Sequence, residues 1–244
     1  ATVLVAALVL AVTTSAGCSS STGDGAGATT TTSTTSAPAT TTRPATPTTS
    51  ERSTRTTGSS AGGPVTRDDL GGIDPASLGD LATRAPYQRF TTIRDETGQV
   101  RVEVPATWEH DGSIRTITQV DVPNVVAAPV LQDYYDDRST PGMRLAAYQG
   151  ELADRGVDWA LQHEAEVDHL DRCTDTTETT PFSLGSREGT AQVTTGCGLD
   201  GDVTVVQVAA SAPDGGDLAV LQVALVSTAD VAALATILGS MAVP

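Results

Sequence analysis

The fold is decided by an apolar stretch near the end of the chain, Leu218-Ala-Val-Leu-Gln-Val-Ala-Leu-Val226. Only Gln222 interrupts this run of apolar side chains. A strand with one face in water alternates apolar and polar residues, whereas a strand covered on both faces is apolar throughout. The stretch therefore predicts a central strand that has packing layers on both sides.

The segments on either side of this stretch provide its neighbours. Upstream, residues 203–210 are rich in Val and predict a second strand, and the turn Pro213-Asp-Gly-Gly216 makes the two strands antiparallel. Downstream, Ser227-x-x-Asp230 resembles a capping box that begins a helix. The apolar side chains of that helix fall on one stripe, which we expect to pack on the sheet: Val231, Leu234, Ile237, Leu238 and Met241.

A β-hairpin is predicted where the folded part begins. Residues 87–94 and 99–105 have alternating apolar and polar side chains, and the turn at Gly98 joins them. Val100, Val102 and Val104 share one face of the second strand. Pro105 ends that strand, and Trp108 is expected to cap the core.

The other segments complete an α+β domain. A helix is predicted at 151–167, where Gly156 weakens the first turn, and a short helix after Asp74-Pro75 that ends near Pro86. Residues 131–137 predict one helical turn or a loop. Further strands are predicted at 125–131, 143–148 and 188–195. The fold class is thus an antiparallel β-sheet flanked by helices.

Three features carry a resemblance to a known family. They are the run Asp95–Trp108, the turn Ser139-Thr-Pro141-Gly142 before a strand, and the two late cysteines. Together they resemble the folded half of actinobacterial cell-envelope lipoproteins of the LpqN type. The resemblance implies a PsbP-like α/β/α sandwich over residues 87–244, and it implies no catalytic residues.

The beginning of the chain is typical of a secretory leader. Residues 1–12 form an apolar run whose length suits a signal peptide and is too short to span a bilayer. The small residues Ala16-Gly17 before Cys18 resemble the lipobox of bacterial lipoproteins. We therefore expect residues 1–17 to be a lipoprotein signal peptide and Cys18 to carry the lipid, with a plain secretory signal as the alternative.

Residues 18–66 predict a linker. They consist largely of Ser, Thr, Gly, Ala and Pro, with hardly any large apolar side chain. Such a segment cannot bury enough surface to offset the entropy of ordering, so we expect a disordered tether. It is either an O-glycosylated stalk or an unmodified spacer. Residues 67–244 then form a single globular domain.

Composition restricts the partners. The formal net charge is −16, with 30 acidic residues against 14 basic ones, all of them Arg. Nucleic-acid affinity arises from clustered cations, so we expect no nucleic-acid binding. Anionic membrane surfaces are disfavoured for the same reason, and the expected membrane contact is the lipid on Cys18.

Two cysteines remain once Cys18 is lipidated. Cys173 and Cys197 form an even pair in an exported protein, for which a disulfide is the default. The alternative is a catalytic cysteine, but no motif places a base beside either residue. We expect the disulfide.

Candidate chemistry is sparse. His163, Glu166 and His169 step by three along a helix and could hold a metal, but the zinc-protease motif would need His at position 167, where this chain has Val. The simpler interpretation is a solvated acidic helix end with His163 one turn from Trp159. We expect no metal site and no cofactor.

Two further segments are candidates for ligand binding or catalysis. Residues 133–137 combine Asp and Tyr and could bind a sugar or calcium, although no EF-hand spacing is present. A solvated loop with one Tyr packed inward is the simpler account. Ser186 stands between two glycines, but the spacing does not match a nucleophile elbow.

These observations favour a non-catalytic protein anchored by lipid to the extracytoplasmic face of the cell membrane. The expected function is an interaction or scaffold module of the cell envelope. The alternative is a small-ligand carrier, lipophilic or metal-binding, with a pocket between sheet and helix. The partner is either an envelope protein or a small ligand.

Overall fold

The computed structural model describes residues 64–136, 139–168 and 170–244. The leader, the lipidation site Cys18 and most of the linker predicted for residues 18–66 lie outside the described residues. The strands, in chain order, are β1 (Phe90–Arg94), β2 (Arg101–Pro105), β3 (Glu109–Asp111), β4 (Arg115–Ile117), β5 (Val120–Val122), β6 (Asn124–Ala128), β7 (Gly142–Tyr148), β8 (Asp175–Thr176), β9 (Thr180–Leu184), β10 (Arg187–Cys197), β11 (Val203–Ser211) and β12 (Leu218–Leu225). The α-helices are α1 (Leu131–Asp136), α2 (Gly156–Val167) and α3 (Thr228–Ser240), and short 3-10 helices span Pro75–Leu78, Gly150–Arg155 and Leu170–Arg172.

An antiparallel sheet of eight strands forms the centre of the domain. Its strand order is β3-β6-β7-β12-β11-β10-β8, and β9 also pairs with β10. Every residue of β12 is buried, and β12 lies between β7 and β11. The prediction of a central strand covered on both faces is therefore confirmed, as is its antiparallel pairing with β11.

Alternate residues of β12 point to opposite faces, and each face has its own core. Leu221, Val223 and Leu225 pack in a cluster with Leu234 and Ile237 of α3. On the other face, Leu218 and Val220 pack in a second cluster with residues of α2, namely Ala160 and Leu161. The chain is thus an α+β domain with α2 and α3 on opposite faces of an antiparallel sheet, which confirms the predicted fold class.

The predicted hairpin is confirmed as β1 and β2, an antiparallel pair separate from the main sheet. Val100, Val102 and Val104 are completely buried and join the α3 cluster, and Trp108 is buried with them. The outer edge of β2 is tied to the end of α3, because the backbone of Arg101 exchanges two hydrogen bonds of 2.9 and 2.8 Å with Ala242.

Two helices end or break earlier than their sequence pattern suggests. The helix after Asp74 stops at Leu78 and does not continue towards Pro86, because Gly79 adopts φ +74°. The helix predicted at 151–167 is two elements: a 3-10 helix up to Arg155 and then α2, which starts at Gly156 with φ +82°. This conformation suits Gly and interrupts the helix where a weakened first turn was expected.

The start of α3 differs from a capping box. Ser227 is the N-cap, but its hydroxyl donates to the Asp230 carboxylate (2.7 Å) and accepts from no backbone N–H of the helix. Asp230 also accepts from the Val226 backbone N–H (3.1 Å) and the Tyr87 hydroxyl (2.8 Å). Burial, and after it Asp230, raises the pKa of Tyr87 to about 12. Asp230 therefore joins the helix to the segment before β1.

Gly189 on β10 lies too close to β11 to carry a side chain. A Cβ at this position would lie 2.0 Å from the Ala209 carbonyl oxygen. We expect Gly189→Ala to lower the free energy of unfolding by about 1–3 kcal/mol, the usual effect of overpacking. The matched control is Gly239→Ala on α3, where nothing lies within 4 Å and the change should be neutral or stabilising by up to about 1 kcal/mol. Urea unfolding would measure both, and equal effects would contradict the steric argument.

Within the described part of the chain, no helix has the length and apolar character needed to cross a membrane.

Candidate functional site

A row of polar side chains crosses the sheet beneath α2. Gln192, Gln207, Gln222 and Arg144 are consecutive register partners on β10, β11, β12 and β7. Because directly paired residues of neighbouring strands share a face, all four point to the side that α2 covers. Three of them, Gln207, Gln222 and Arg144, are buried. The row separates two apolar clusters on this face of the sheet.

Arg144 binds two carboxylates, one on α2 and one on the residue that follows α2. Its guanidinium forms ion pairs with Glu164 and Asp168, and it donates to Asp168 Oδ1 at 3.3 Å. Arg115 approaches from β4 and donates to both Glu164 oxygens at 3.0 and 3.1 Å. The Tyr148 hydroxyl donates to the same carboxylate. These five residues, which we call the ionic cluster, attach the second half of α2 to the sheet.

The charges of the ionic cluster stabilise one another. Burial alone would raise the pKa of Glu164, but the charges of Arg144 and Arg115 outweigh burial and hold it below its ordinary value. Burial alone would lower the pKa of Arg144, but the charges of Glu164 and Asp168 outweigh burial and raise this pKa above its ordinary value. Burial and then Glu164 raise the pKa of Tyr148. The charged forms of Arg144 and Glu164 therefore stabilise each other.

The prediction of a solvated acidic helix end is wrong for two of its residues. Glu164 is 1% exposed, and the Asp168 side chain is 5% exposed. Only Glu166 points to solvent as expected. A sequence signal for this arrangement was present in β7, where Arg144 is a lone charge inside an otherwise apolar strand. Such a charge requires a buried partner of opposite sign.

A cavity of about 380 Å³ lies between α2 and the β10 edge of the sheet. Its floor is Thr194 and Gln192 on β10 with Thr176 on β8, and α2 supplies one wall. The remaining lining residues come from α2 and the 3-10 helix after it: Gln162, Ala165, Glu166 and Leu170. The size falls within the range of about 300–1,000 Å³ that is typical of small-ligand pockets. Gln192 belongs to both the polar row and the cavity.

The predicted disulfide between Cys173 and Cys197 is present and lies beside this cavity. Cys173 stands between the lining residues Leu170 and Thr176, and Cys197 follows Thr194 on the same strand. The bridge thus joins the segment that carries one wall to the strand that carries the floor.

The buried side chain of Gln207 lies one strand further in than Gln192. Neither its amide nitrogen nor its amide oxygen has a hydrogen-bond partner among the described residues. A buried amide without partners is rare, and the usual explanation is an ordered water or a ligand group. The polar row therefore contains a buried amide whose donors and acceptor are not used by the described residues.

Of the three candidate metal ligands, the structure describes His163 and Glu166. The His163 ring stacks on the Trp159 ring, with 4.9 Å between the ring centroids. The Arg155 guanidinium lies 4.6 Å from the centroid of the same Trp159 ring. Glu166 lies one turn further along α2, and His169 is outside the described residues. Residues 64–136, 139–168 and 170–244 contain no group of three or more His, Cys, Asp or Glu arranged to hold a metal.

The structure describes most of the other two candidate segments. Residues 131–136 form α1, with Tyr134 buried as the single inward Tyr and Tyr135 52% exposed. Ser186 is exposed in the turn between β9 and β10. Asp137 lies outside the described residues.

Comparison with known proteins gives little further information. No family model and no curated protein matches the chain. Among solved structures, the chain is similar to the Ran-binding protein Mog1p of Saccharomyces cerevisiae, with 8% sequence identity over 64% of this chain and 95% of Mog1p. The TM-score of that superposition is 0.39, which is too low to carry an argument about function.

Proposed function

We propose that this protein is an exported, lipid-anchored cell-envelope lipoprotein whose folded domain is a non-catalytic binding module, similar to the PsbP-like domain of LpqN-type lipoproteins. The apolar leader and the lipobox-like residues before Cys18 support export and anchoring. The Cys173–Cys197 disulfide supports an oxidising compartment, because such bonds are rare in the cytosol. The acidic composition argues against nucleic acid as a partner.

Of the two binding roles, the small-ligand carrier is favoured by one observation, the cavity between α2 and β10. It is concave, it is lined by both apolar and hydrogen-bonding side chains, and the disulfide and the ionic cluster fix its two sides. Ligand sites in proteins combine a mostly preformed cavity with a few polar groups that orient the ligand.

The interaction or scaffold role is the second candidate, and a groove on the α3 side supports it. This groove, of about 760 Å³, lies between residues 64–86 and the start of α3. Its apolar lining includes Leu81, Val226 and Val231. An extended apolar segment of an envelope protein would fit there. A partner that cross-links to the wild type in membranes and is lost in Val231→Asp would support this role.

Mass spectrometry of the native protein extracted from membranes tests the proposal. We expect a mature N-terminus at Cys18 with added acyl chains, and a small molecule that is retained under native conditions. Cys18→Ser should abolish the lipid mass. Thr176→Trp should fill the cavity from its floor and release the small molecule, whereas Thr91→Trp, at another exposed strand position, should retain it.

Two results would contradict this proposal separately. An unlipidated protein found in the cytosol with reduced Cys173 and Cys197 would exclude export and anchoring. A lipidated protein that never retains a small molecule would exclude the carrier role and leave the interaction role.

A further inference from the structure

One of the residues that line the cavity is an exposed acid, Glu166, which has no cationic partner among the described residues. Its carboxylate accepts a hydrogen bond from Gln162 Nε2 at 2.9 Å. Unlike Glu164 and Asp168, which are paired with Arg144, Glu166 forms no ion pair with another described residue. It is thus the one acid of this helix end whose charge the described protein does not balance.

The position of Glu166 near the carboxyl end of α2 is unfavourable for a negative charge. It is the penultimate residue of the helix, and no basic residue occupies the last turn. The carboxyl end of a helix carries partial negative charge, so an acid there is unfavourable by a few tenths of a kcal/mol or more. The hydrogen bond from Gln162 offsets part of this cost, and a positively charged ligand would offset more of it.

The other lining residues argue against an anion and against a calcium ion as the ligand. The uncharged polar groups are the amides of Gln162 and Gln192 and the hydroxyls of Thr176 and Thr194, all of which offer acceptor oxygens. No Arg lines the cavity, so an anion would find no counter-charge. A calcium ion usually takes six to eight oxygen ligands, several of them carboxylates, and only one carboxylate is present here.

The apolar part of the lining indicates an organic cation. Ala165 and Leu170 face the same space as Glu166. An alkyl chain can lie against these two side chains while an ammonium group donates to the carboxylate and to neighbouring oxygens. Gln207, whose buried amide has no hydrogen-bond partner among the described residues, lies one strand beyond Gln192 and does not itself line the cavity. The net charge of −16 also attracts cations to the protein in general.

From these contacts we propose that the cavity between α2 and β10 binds a small primary alkylammonium, with Glu166 as its counter-ion and Ala165 and Leu170 against its chain. This inference rests on the small-ligand role proposed above and names the ligand class for that role. The charge on Glu166 sets the specificity, and the hydroxyls and amides of the floor complete the hydrogen bonds of the ammonium.

Calorimetric titration of the full-length protein in detergent tests this with three probes of similar length: n-pentylammonium, n-pentanol and hexanoate. We expect n-pentylammonium to bind at least about tenfold more tightly than the other two, since hydrogen bonds to charged groups contribute more than neutral ones. Glu166→Gln should weaken its binding about tenfold. The matched control is Asp158→Asn, which removes an exposed acid from the same helix outside the cavity and should leave binding unchanged.

The possible failures are distinguishable. Equal binding of n-pentanol and n-pentylammonium, or equal weakening by Glu166→Gln and Asp158→Asn, would overturn the assignment of the ligand class alone. If none of the three probes binds and the native protein still retains a small molecule, the ligand class is again overturned and the carrier role stands. Failure of all three probes by a protein that retains nothing would overturn both the ligand class and the carrier role.

Discussion

Replacing Arg144 with methionine is expected to lower the free energy of unfolding by about 3–5 kcal/mol, the range observed when one partner of a buried ion pair is removed. Methionine has nearly the length of the arginine stem and can fill its space on β7. What it cannot do is balance Glu164 and Asp168, which remain buried at 1% and 5% exposure. Glu164 would then keep Arg115 as its cationic partner among the described residues.

Chemical denaturation of three variants would isolate the electrostatic part of this loss. Arg94→Met removes an exposed arginine from β1 and should change stability by no more than about 0.5 kcal/mol. The triple variant Arg144→Met/Glu164→Gln/Asp168→Asn removes all three charges together and should recover part of the loss. If the triple variant is no more stable than Arg144→Met, the deficit comes from packing and not from unbalanced charge.

The stability lost in Arg144→Met should depend on pH in a defined direction. The pKa of Glu164 is lower in the folded protein than its ordinary value. A carboxyl of this kind stabilises the fold above its unfolded pKa, about 4.3, and this contribution is lost as the pH falls through the folded pKa. The stability gap between wild type and Arg144→Met should therefore be widest at neutral pH and narrow on acidification. A gap that is constant down to pH 3 would contradict the ionised pair.

The strands of the core were predictable because each carries its own local pattern. β12 is apolar on both faces, β2 alternates with period two, and the stripe of α3 follows the helical period. These patterns report burial directly, and burial determines where such elements lie. The short strands β3, β4, β5 and β8, of two or three residues each, were missed because a period cannot be recognised over so short a length. The five-residue strand β9 was missed as well.

The ionic cluster was not predictable from spacing. Glu164 lies 20 residues from Arg144 and 49 from Arg115, and these three meet only because α2 folds back over β7 and β4. Along α2 itself, Glu164, Glu166 and Asp168 look alike in sequence, and the structure gives them different environments. The lone Arg144 in β7 indicates that a buried acid exists, but the sequence does not identify which acid it is.

The cysteine pairing was predictable and the cavity beside it was not. On the expectation that the chain is exported and that Cys18 carries lipid, two cysteines leave one intramolecular pairing, so counting was sufficient. The cavity depends on residues of four separate elements, from Gln162 on α2 to Thr194 on β10. None of these residues is unusual in sequence, and their juxtaposition follows from the tertiary fold alone.

Removing the disulfide is the second change expected to have a large effect. In the chain-entropy account, a bridge between residues 24 apart stabilises the fold by about 3–4 kcal/mol, because it restricts the unfolded chain. We expect Cys173→Ala/Cys197→Ala to lose this amount in urea unfolding. Alanine is the suitable replacement, since Cys197 is buried in an apolar cluster and alanine adds no polar group there.

The bridge should also matter for binding beyond its effect on stability, because Cys173 lies between two residues of the cavity wall. At a temperature where Cys173→Ala/Cys197→Ala is still folded, we expect its retained ligand to be reduced, while Gly189→Ala, destabilised at the far end of β10, should keep it. Reducing agent should lower retention in the wild type and leave the alanine pair unaffected. If both destabilised variants lose the ligand equally, retention follows global stability and the disulfide has no separate role in shaping the cavity.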